Sequence, residues 1–340
     1  MTFLITGGAG FVGSNAVAHF LAKGQRVVAL DNLGRRGTDK NLAWLQGLGG
    51  DLVVAQVDIR DTAAVDAAFQ AHPDIEAVLH LAAQTAVTTS VEAPREDFEI
   101  NALGTFNILE AARELPHLKA LLYASTNKVY GGMEDLAVVE RNGRYAYRDL
   151  SKGVAEDRPL DFHSPYGCSK GAGDQYVVDY ARIYGLPTVA FRQCTIYGPR
   201  QLGVEDQGWV AWFCIAAVLG KPLTLYGDGR QVRDVLHVSD LLALYERAIE
   251  RIEEVEGQVY NVGGGPTNTL SLLELIARIE ERLQRRMELR FDEWRPGDQR
   301  VFIADISKAA GDLGWQPQVG VEEGVDSLLT WVQDNGDLFV

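Results

Sequence analysis

The two side chains best suited to acid–base chemistry are a tyrosine and a lysine four residues apart, Tyr166 and Lys170. On a helix, residues at this spacing share one face. An ammonium group beside a phenol favours the phenolate and lowers the pKa of the phenol toward the working pH. Thr126, at the end of a predicted strand, can hydrogen-bond the same oxygen. The sequence therefore predicts that Tyr166 takes a proton from an alcohol.

A glycine-rich turn near the start of the chain predicts a dinucleotide site. A short apolar strand breaks at residues 6–7, and a helix-like pattern follows over residues 14–22. The glycines fit G-x-G-x-x-G from Gly8 and G-x-x-G-x-x-G from Gly7. A Cβ would block the tight turn, the approach of a pyrophosphate, or helix packing. The N–H groups at the helix start then attract the anion. The candidate cofactor residues here are Gly7, Gly10, Phe11, Val12 and Gly13.

An acidic residue that ends the second predicted strand, Asp31, indicates which dinucleotide is bound. It lies about twenty positions after the glycines, where a ribose would be held. A carboxylate accepts from the 2′-OH of NAD and repels the 2′-phosphate of NADP. Arg35 and Arg36 follow closely, but the spacing favours NAD. The neighbouring Asn32 is a further candidate cofactor residue.

Small or polar residues also follow the next predicted strands. Asp58, after the third strand, is placed either to accept from an adenine amino group or to cap the following helix. Small residues after the fourth strand allow the backbone to pack against a cofactor or against a helix. A fifth strand, residues 120–125, leads into Thr126. The remaining candidate cofactor residues are Ile59, Leu81, Ala82, Ala83, Gln84 and Asn101, the last in a helix predicted over residues 98–113.

Charge and length limit the class of protein. A net charge of −15 argues against nucleic acid or an anionic membrane as a partner. No segment has the apolar length of a membrane span, and the scattered histidines suggest no metal site. Three cysteines, at 168, 194 and 214, fit neither a metal spacing nor an even set of disulfides. Together with a chain that enters its first strand at once, they predict a cytoplasmic protein without a signal peptide.

The order of elements predicts the fold class. Strand and helix alternate through the first half, which is typical of a doubly wound, Rossmann-like parallel sheet in an α/β protein. A length of 340 residues suits an added lobe. We predict an NAD-binding domain over residues 1–188 plus about 232–262, and a smaller, mostly C-terminal α/β lobe for the substrate over about 189–231 and 263–340. Residues 133–163 are predicted to be a surface insertion with little sheet structure.

Several motifs together resemble the extended short-chain dehydrogenase/reductase family over essentially the whole chain. They are residues 6–13 (TGGAGFVG), residues 80–84 (HLAAQ), the Thr126/Tyr166/Lys170 triad and Arg233-Asp234. This resemblance implies action on a nucleotide-diphosphate sugar. Residues 125–131, 160–171 and 206–213 are similar to the CDP-paratose 2-epimerase branch of that family, which implies a CDP-hexose.

The resemblance implies a role for each catalytic residue. Tyr166 takes the sugar hydroxyl proton, Lys170 tunes Tyr166 and holds the nicotinamide ribose, and Thr126 orients the hydroxyl. Transient oxidation to a 2-keto sugar at bound NAD and re-reduction from the opposite face would invert C2. Dehydratases of the family carry an Asp-Glu pair where this chain has Asn127 and Lys128. Since an amide and an ammonium cannot replace two carboxyl groups, dehydration is not expected.

The resemblance also implies substrate contacts. Arg233 would bind the pyrophosphate, or alternatively form a surface salt bridge with Asp234. Arg300, in the segment 295–300, would bind a phosphate, or alternatively be an exposed loop arginine. Related 4-epimerases have an asparagine where this chain has Thr195. The candidate substrate residues are Thr126, Asn127, Arg200, Gln201, Arg233 and Arg300.

The sequence thus predicts an NAD-dependent nucleotide-sugar epimerase acting at C2 of a CDP-hexose. One alternative is an epimerase of the same fold that acts at C4 of a UDP-, GDP- or dTDP-hexose. Another is a catalytically silent NAD-binding sensor, against which the intact triad argues. A homodimer or higher homo-oligomer, assembled through the helices that flank Tyr166, is common in the family and is expected here.

Overall fold

The computed structural model describes residues 1–295 and 298–339 of an α/β protein. The strands are β1 Thr2–Thr6, β2 Arg26–Asp31, β3 Leu52–Gln56, β4 Ala77–His80, β5 Ala120–Thr126, β6 Val138–Arg141, β7 Arg144–Tyr147, β8 Thr188–Gln193, β9 Thr195–Tyr197, β10 Leu223–Tyr226, β11 Val232–His237, β12 Val259–Val262, β13 Thr269–Ser271, β14 Leu289–Asp292 and β15 Val301–Phe302. The α-helices are α1 Phe11–Ala22, α2 Thr38–Gly47, α3 Thr62–Gln70, α4 Val87–Glu92, α5 Pro94–Phe98, α6 Gly104–Arg113, α7 Ser164–Tyr184, α8 Trp209–Leu219, α9 Val238–Glu250, α10 Ile252–Val255, α11 Leu272–Leu283, α12 Ser307–Leu313 and α13 Val321–Asp334. Short 3₁₀ turns span Asn127–Tyr130 and Gly336–Phe339, and a π-helical turn spans Glu99–Leu103.

Seven parallel strands form the central sheet, in the order β12-β8-β5-β4-β1-β2-β3. Chain order reverses between β1 and β4, whose residues Phe3 and Ala77 are paired in register. In open parallel sheets, ligands bind beyond the carboxyl ends of the strands at such a reversal. The predicted fold class, a doubly wound Rossmann-like sheet, is confirmed.

Helices cover both faces of this sheet, which explains why its strands are nearly continuous apolar runs. On one face, Val17 and Phe20 of α1 pack with Leu241 of α9. On the other face, Ile108 of α6 and Val177 of α7 pack against the sheet. The two helices α1 and α7 that begin at the carboxyl edge are therefore fixed by the core.

A smaller lobe is built from the rest of the chain. Helices α8, α11 and α13 pack with β10 around a separate apolar core, and β11 pairs with β9, β13 and β15. Ser271 and Glu274 form a capping box at the start of α11, and both of its hydrogen bonds are made. Since β11 pairs within this lobe whereas β12 belongs to the central sheet, chain segments alternate between the two parts. The exact domain division stays a prediction.

The expectation of little sheet structure over residues 133–163 was wrong. Strands β6 and β7 form an antiparallel hairpin, and Val154 bridges to Ala304. Tyr147 is buried and donates from its hydroxyl to the Val301 carbonyl at 2.9 Å. These apolar residues form one cluster with Val232 of β11 and with Val301 and Phe302 of β15. Because the partners lie far along the chain, the local pattern gave no sign of them.

Candidate functional site

The structure brings the three predicted catalytic residues together at the carboxyl edge of the sheet. Thr126 is the last residue of β5, and its side chain accepts from the Lys128 N–H at 3.2 Å. Helix α7 begins at Ser164 with a proline in its first turn, a favoured place for proline, so Tyr166 lies in the first turn and Lys170 one turn later. The Thr126 side chain hydrogen-bonds the Tyr166 phenol. All three line one cavity of about 600 Å³.

Burial sets the charge state of the tyrosine and the lysine. Burial raises the pKa of Tyr166 to about 12, although the hydrogen bond with Thr126 acts to lower it. Burial lowers the pKa of Lys170 to about 7, although the nearby carboxylates of Asp174 and Asp97 act to raise it. The Lys170 Nζ lies 4.3 Å from the centre of the Tyr123 ring. The expected lowering of the Tyr166 pKa by Lys170 is therefore not seen in the protein alone, because burial favours the neutral form of each.

A buried ion pair fixes the elements that carry these residues. Arg192 of β8 binds Asp174 of α7 through two bonds, at 3.0 Å from Nε and 2.9 Å from Nη2. Ser125 of β5 donates to the same carboxylate at 2.6 Å, and Arg192 also donates to the Tyr130 hydroxyl at 2.9 Å. This two-bond geometry holds β5, β8 and α7 in register. It thereby fixes how far Thr126 lies from the start of α7.

The glycine turn has the backbone geometry that a bound pyrophosphate requires. Gly7 has φ +66°, and a Cβ there would lie 2.9 Å from the Ala82 nitrogen. A Cβ on Gly13 would overlap the Gly7 carbonyl oxygen, whereas one on Gly10 would meet only that oxygen, at 3.1 Å. Helix α1 begins at Phe11 without a side-chain cap. Its first-turn N–H groups lack intrahelical acceptors, so they are available to an anion.

Asp31 is buried and supports the glycine turn directly. Its Oδ2 accepts from the Ala9 N–H at 2.9 Å, and its Oδ1 accepts from the Leu33 N–H at 2.8 Å. Each carboxylate oxygen has a second acceptor position, so a ribose hydroxyl pair can still be bound. Asn32 is exposed beside it and donates to Asp58 at 3.1 Å. The glycine turn and Asp31 thus fit NAD.

Asp58 does not cap the helix that follows it. Asp61 does so, by accepting from the Ala64 N–H at 3.1 Å, and the helix-cap alternative for Asp58 is therefore wrong. The Asp58 carboxylate accepts from the Arg60 guanidinium at 2.7 and 3.0 Å, and these bonds hold the pKa of Asp58 well below its usual range. Ile59 is buried in the core. The adenine contact of Asp58 stays a prediction.

Asn101 does not line the cavity but holds the loop after β4 through hydrogen bonds. Its Oδ1 accepts from the Gln84 N–H at 2.9 Å, and its Nδ2 donates to the Gln84 carbonyl at 3.0 Å. The residue lies in the π-helical turn that interrupts the helix predicted over residues 98–113. Leu81 and Ala83 line the cavity beside the start of α1, and Ala82 lies against Gly7. The π turn has no local sequence signal, because these tertiary contacts stabilise it.

Besides Thr126, three of the predicted substrate residues line the cavity: Asn127, Gln201 and Arg233. The other two arginines lie elsewhere. The Arg200 guanidinium stacks on the Trp44 ring at 4.1 Å, beside a smaller cavity at the glycine turn. The Arg300 guanidinium lies 5.2 Å from the Tyr145 ring. Substrate contacts of both stay predictions.

Sequence reasoning passed over a second cation in the same segment, Arg295, which lines the larger cavity. Its guanidinium lies 3.8 Å from the Tyr226 ring and 2.8 Å from the Asp206 carboxylate. The neighbouring Pro296 and Gly297 are outside the described residues. Arg295 is the first residue of the segment 295–300, to which the resemblance assigned phosphate binding, so the sequence did contain a signal for this residue. Other lining residues not predicted include Lys128, Gln193, Cys194, Gln207 and Trp209.

The surface salt bridge considered for Arg233 and Asp234 is not formed. Side chains alternate along β11, which turns Arg233 to the cavity and Asp234 into the protein. Asp234 is fully buried and accepts from the N–H groups of Gly265 at 3.1 Å and Ala304 at 3.2 Å. Burial raises the pKa of Asp234 to about 6. That alternative is therefore wrong, and Arg233 remains a candidate for the pyrophosphate.

The wall at positions 127 and 128 carries an amide and a cation. Burial and the nearby Arg233 lower the pKa of Lys128 to about 8. Lys128, Arg233 and Arg295 therefore place three basic groups on one cavity, which Asp206 and Asp298 also line. Such a wall suits an anionic ligand of the size of a diphosphate.

The described residues contain neither a candidate metal cluster nor a candidate membrane-spanning helix. Across residues 1–295 and 298–339, no cluster of three or more His, Cys, Asp or Glu side chains could hold a metal ion. Within the same ranges, no helix has the length and apolar character needed to cross a membrane. The cysteines at 168, 194 and 214 are free.

Comparison with known proteins identifies relatives over nearly the full length. The family described as GDP-mannose 4,6 dehydratase matches residues 4–328. CDP-paratose 2-epimerase of Salmonella typhi is 45% identical over 339 residues, which cover 97% of this chain and 99% of that relative. A UDP-glucose 4-epimerase from Thermus thermophilus, solved in complex with NAD, has a TM-score of 0.82 and 33% identity, covering 98% of this chain and all of that one. A UDP-glucose 4-epimerase from Thermotoga maritima, solved with UDP-glucose, has a TM-score of 0.85 and 30% identity, covering 98% of this chain and 99% of that one.

Proposed function

This chain belongs to the GDP-mannose 4,6 dehydratase family of extended short-chain dehydrogenases/reductases, and we propose that it is an NAD-dependent epimerase inverting C2 of a CDP-hexose. The observation that carries the proposal is the similarity to a CDP-paratose 2-epimerase, 45% identical over 97% of the chain. The cavity agrees with it, since Thr126, Tyr166 and Lys170 all line it beside the first turn of α1.

NAD is the cofactor that the cleft fits. The uncapped first turn of α1 is available for the pyrophosphate, and Asp31 is placed for the adenosine ribose. Gln84 and Asn101 hold the loop after β4 in place. NAD, when bound, accepts a hydride from the sugar and returns it.

Tyr166 performs the proton chemistry. Its phenol oxygen takes the proton of the C2 hydroxyl and gives it back, while the Thr126 hydroxyl orients the reacting oxygen. A pKa of about 12 in the protein alone means that Tyr166 must gain a positive neighbour before it works as a base. Protonated Lys170, one helical turn away, is the residue that can supply this charge.

The basic wall of the cavity would bind the diphosphate. Arg233 and Arg295 are the guanidinium groups that line the cavity, and guanidinium suits phosphate oxygens. Asn127 and Gln201 line the same space and would contact the sugar. Because Tyr166 is fixed on α7, inversion requires the sugar to present its other face between the two transfers.

A C4 epimerase acting on another nucleotide hexose is the second candidate. Two solved UDP-glucose 4-epimerases, at 30% and 33% identity, have the same fold. Their lower identity supports this alternative less than the proposed one. The position of the inverted carbon in the product distinguishes the two.

The exposed side of α6 and α7 supports a homodimer. Large apolar side chains lie exposed there, at the end of α5 and on the neighbouring π turn, and patches of this kind mark contact surfaces. They are Phe98, Leu103, Phe106, Tyr176, Ile183 and Tyr184. Light scattering should give twice the mass of the 340-residue chain, and Ile183→Glu should give a monomer. The cytoplasmic location predicted from the cysteines stays a proposal.

The decisive experiment is incubation with a panel of CDP-, UDP-, GDP- and dTDP-hexoses in deuterated water, with products analysed by NMR. We expect inversion at C2 of a CDP-hexose without deuterium at C2, because the hydrogen stays with the cofactor. Tyr166→Phe should bind substrate but lose most turnover. Tyr180→Phe is the matched control, since Tyr180 is not among the residues that line the cavity and its hydroxyl donates to Glu110 at 2.7 Å. Stoichiometric deuterium at C2, or a fully active Tyr166→Phe enzyme, would contradict the mechanism.

A further inference from the structure

A carboxylate outside the predicted site, Asp97, lies buried against the catalytic helix. It is 1% exposed. Its Oδ2 accepts from the Ser169 hydroxyl at 2.5 Å. Its Oδ1 accepts from the Gln84 side-chain amide at 2.9 Å and from the Asn101 amide at 3.1 Å. One side chain on the short helix α5 thus contacts three separate elements of the site.

Each of these three contacts connects Asp97 to the helix that carries Lys170 or to the loop after β4. Ser169 directly precedes Lys170 on α7, and its hydroxyl also lies 3.2 Å from the Tyr166 carbonyl. Gln84 belongs to the loop after β4, whose Leu81 and Ala83 line the cavity. Asn101 holds the backbone of that loop. A shift of Asp97 would therefore move the catalytic helix relative to the cofactor loop.

The charge of Asp97 needs an explanation that its hydrogen bonds alone do not give. Burying a carboxylate is costly unless a cation faces it. The three side chains that donate to it, of Ser169, Gln84 and Asn101, are all neutral. Burial raises the pKa of Asp97, whereas Ser169, Gln84 and the charge of Lys170 oppose the rise. Lys170 is thus the cation to which this carboxylate responds.

We propose that Asp97 is a positioning residue for the epimerase reaction, in that it holds Lys170 beside Tyr166 through Ser169 and supplies the negative charge that keeps Lys170 protonated. This inference rests on the proposed function only for the catalytic use of Lys170. The contacts and the charge of Asp97 are independent of the substrate.

The groups that face Lys170 come from four elements. Asp174 faces it from α7, Asp97 from α5, Tyr123 from β5 and His80 from β4. Burial lowers the pKa of His80 to about 3, so it is neutral. Asp174 is already bound by Arg192 through two bonds. Asp174 and Asp97 both raise the pKa of Lys170, and Asp97 is the one of these two carboxylates whose hydrogen-bond donors are all neutral side chains.

The sign of the pH effect follows from these positions. Asp97 raises the pKa of Lys170 and also that of Tyr166. Removal of its charge should lower both. Each limb of the pH profile reports the titration of one of these two groups. Both limbs should therefore move toward lower pH, which a simple loss of packing would not produce.

Asp97→Asn is the variant that isolates the charge. An asparagine can accept from Gln84 and Asn101 through its carbonyl oxygen, and its amide can donate to Ser169. The shape and the hydrogen bonds are then kept. Asp97→Glu keeps the charge and should restore wild-type behaviour. Glu96→Gln is the matched control, because Glu96 is the adjacent carboxylate on α5 and its side chain is 55% exposed.

The experiment has one readout that does not depend on substrate. Lysine labelled with ¹³C at Cε is titrated by NMR in each variant, with the Lys170 signal assigned by its loss in Lys170→Met. The wild-type midpoint is expected near 7, and in Asp97→Asn it should fall by about one pH unit or more. The second readout is the pH profile of kcat/KM, in which both limbs should shift downward.

The possible outcomes separate this inference from the proposed function. A lower Lys170 midpoint in Asp97→Asn, with Glu96→Gln unchanged, supports the inference even if no CDP-hexose is epimerised. An unchanged Lys170 midpoint overturns it even if the enzyme is active. Lower activity of Asp97→Asn with an unshifted pH profile would also overturn it, because that result describes a structural role alone.

Discussion

The buried carboxyl of Asp234 predicts a pH-dependent loss of stability that one substitution should remove. Its Oδ2 accepts from two backbone N–H groups, of Gly265 and Ala304. Its Oδ1 receives no N–H or O–H bond from the described residues, and the nearby Cys194 thiol opposes the rise in the pKa of this carboxyl. Burial raises the pKa of Asp234 from 3.8 to about 6. The ionised form is therefore disfavoured in the folded protein.

The magnitude follows from linkage between folding and proton binding. Well below pH 4 the group is protonated in both states and contributes nothing. Between about pH 4 and 6 the folded state keeps a proton that the unfolded state has released, so stability falls as pH rises. A shift of about two units, at 1.36 kcal/mol each, makes the full penalty about 3 kcal/mol above pH 6.

Asp234→Asn should remove this penalty. Its carbonyl oxygen can accept both backbone bonds, and its amide can face the Cys194 sulfur. We expect the variant to be more stable than wild type by up to about 3 kcal/mol at pH 7.5 and equally stable near pH 4. Urea unfolding at several pH values measures the difference in stability between the variant and the wild type. The titration of all other carboxyl groups is common to both proteins and cancels in this difference. Asp157→Asn is the control, because Asp157 is exposed.

Two outcomes would refute the reasoning. A stability difference that stays constant from pH 4 to 7.5 would show that the pKa of Asp234 is not raised. A variant less stable than wild type at pH 7.5 would show that the two bonds to Gly265 and Ala304 need the full charge.

Further predictions concern the cofactor and the reaction. Asp31→Ala should narrow the preference for NAD over NADP, measured by calorimetric titration, and equal binding of both cofactors by the wild type would contradict the role of Asp31. Gly13→Ala should weaken NAD binding about 10- to 100-fold, because its Cβ would overlap the Gly7 carbonyl. Gly47→Ala, which has open space around its Cβ position, should leave NAD affinity unchanged. No 4-keto-6-deoxy product should form from any nucleotide hexose, because Asn127 and Lys128 stand where a dehydratase has two carboxyl groups. Detection of that product by NMR would place the chain among the dehydratases.

Local patterns were sufficient to predict the sheet, the glycine turn and the position of the triad. Strand, turn and helix over residues 2–22 are contiguous, so their geometry is set by neighbours in the sequence. The same is true of Tyr166 and Lys170, whose spacing of four residues fixes their common face once α7 forms. The end of β5 brings Thr126 to the same edge because parallel strands have their carboxyl ends together.

Features that depend on distant contacts were not predicted. The hairpin of β6 and β7 packs on β11 and β15, more than 80 residues later in the chain. Asp97 was passed over because its partners, Gln84 and Ser169, are brought to it only by the fold. The charge states of Tyr166 and Lys170 were also misjudged, since helical spacing says nothing about burial. Desolvation exceeded the pairwise attraction between them.

The larger cavity reconciles an acidic protein with an anionic substrate. A net charge of −15 repels a diphosphate at a distance, yet Lys128, Arg233 and Arg295 bring three basic groups to one cavity. Within a low-dielectric cleft these charges act far more strongly than the distant surface carboxylates, which solvent screens. In the proposed epimerase, Asn127 and Lys128 therefore have two effects at once: neither supplies a carboxyl group needed for dehydration, and Lys128 adds a basic group to the cavity that would hold the substrate.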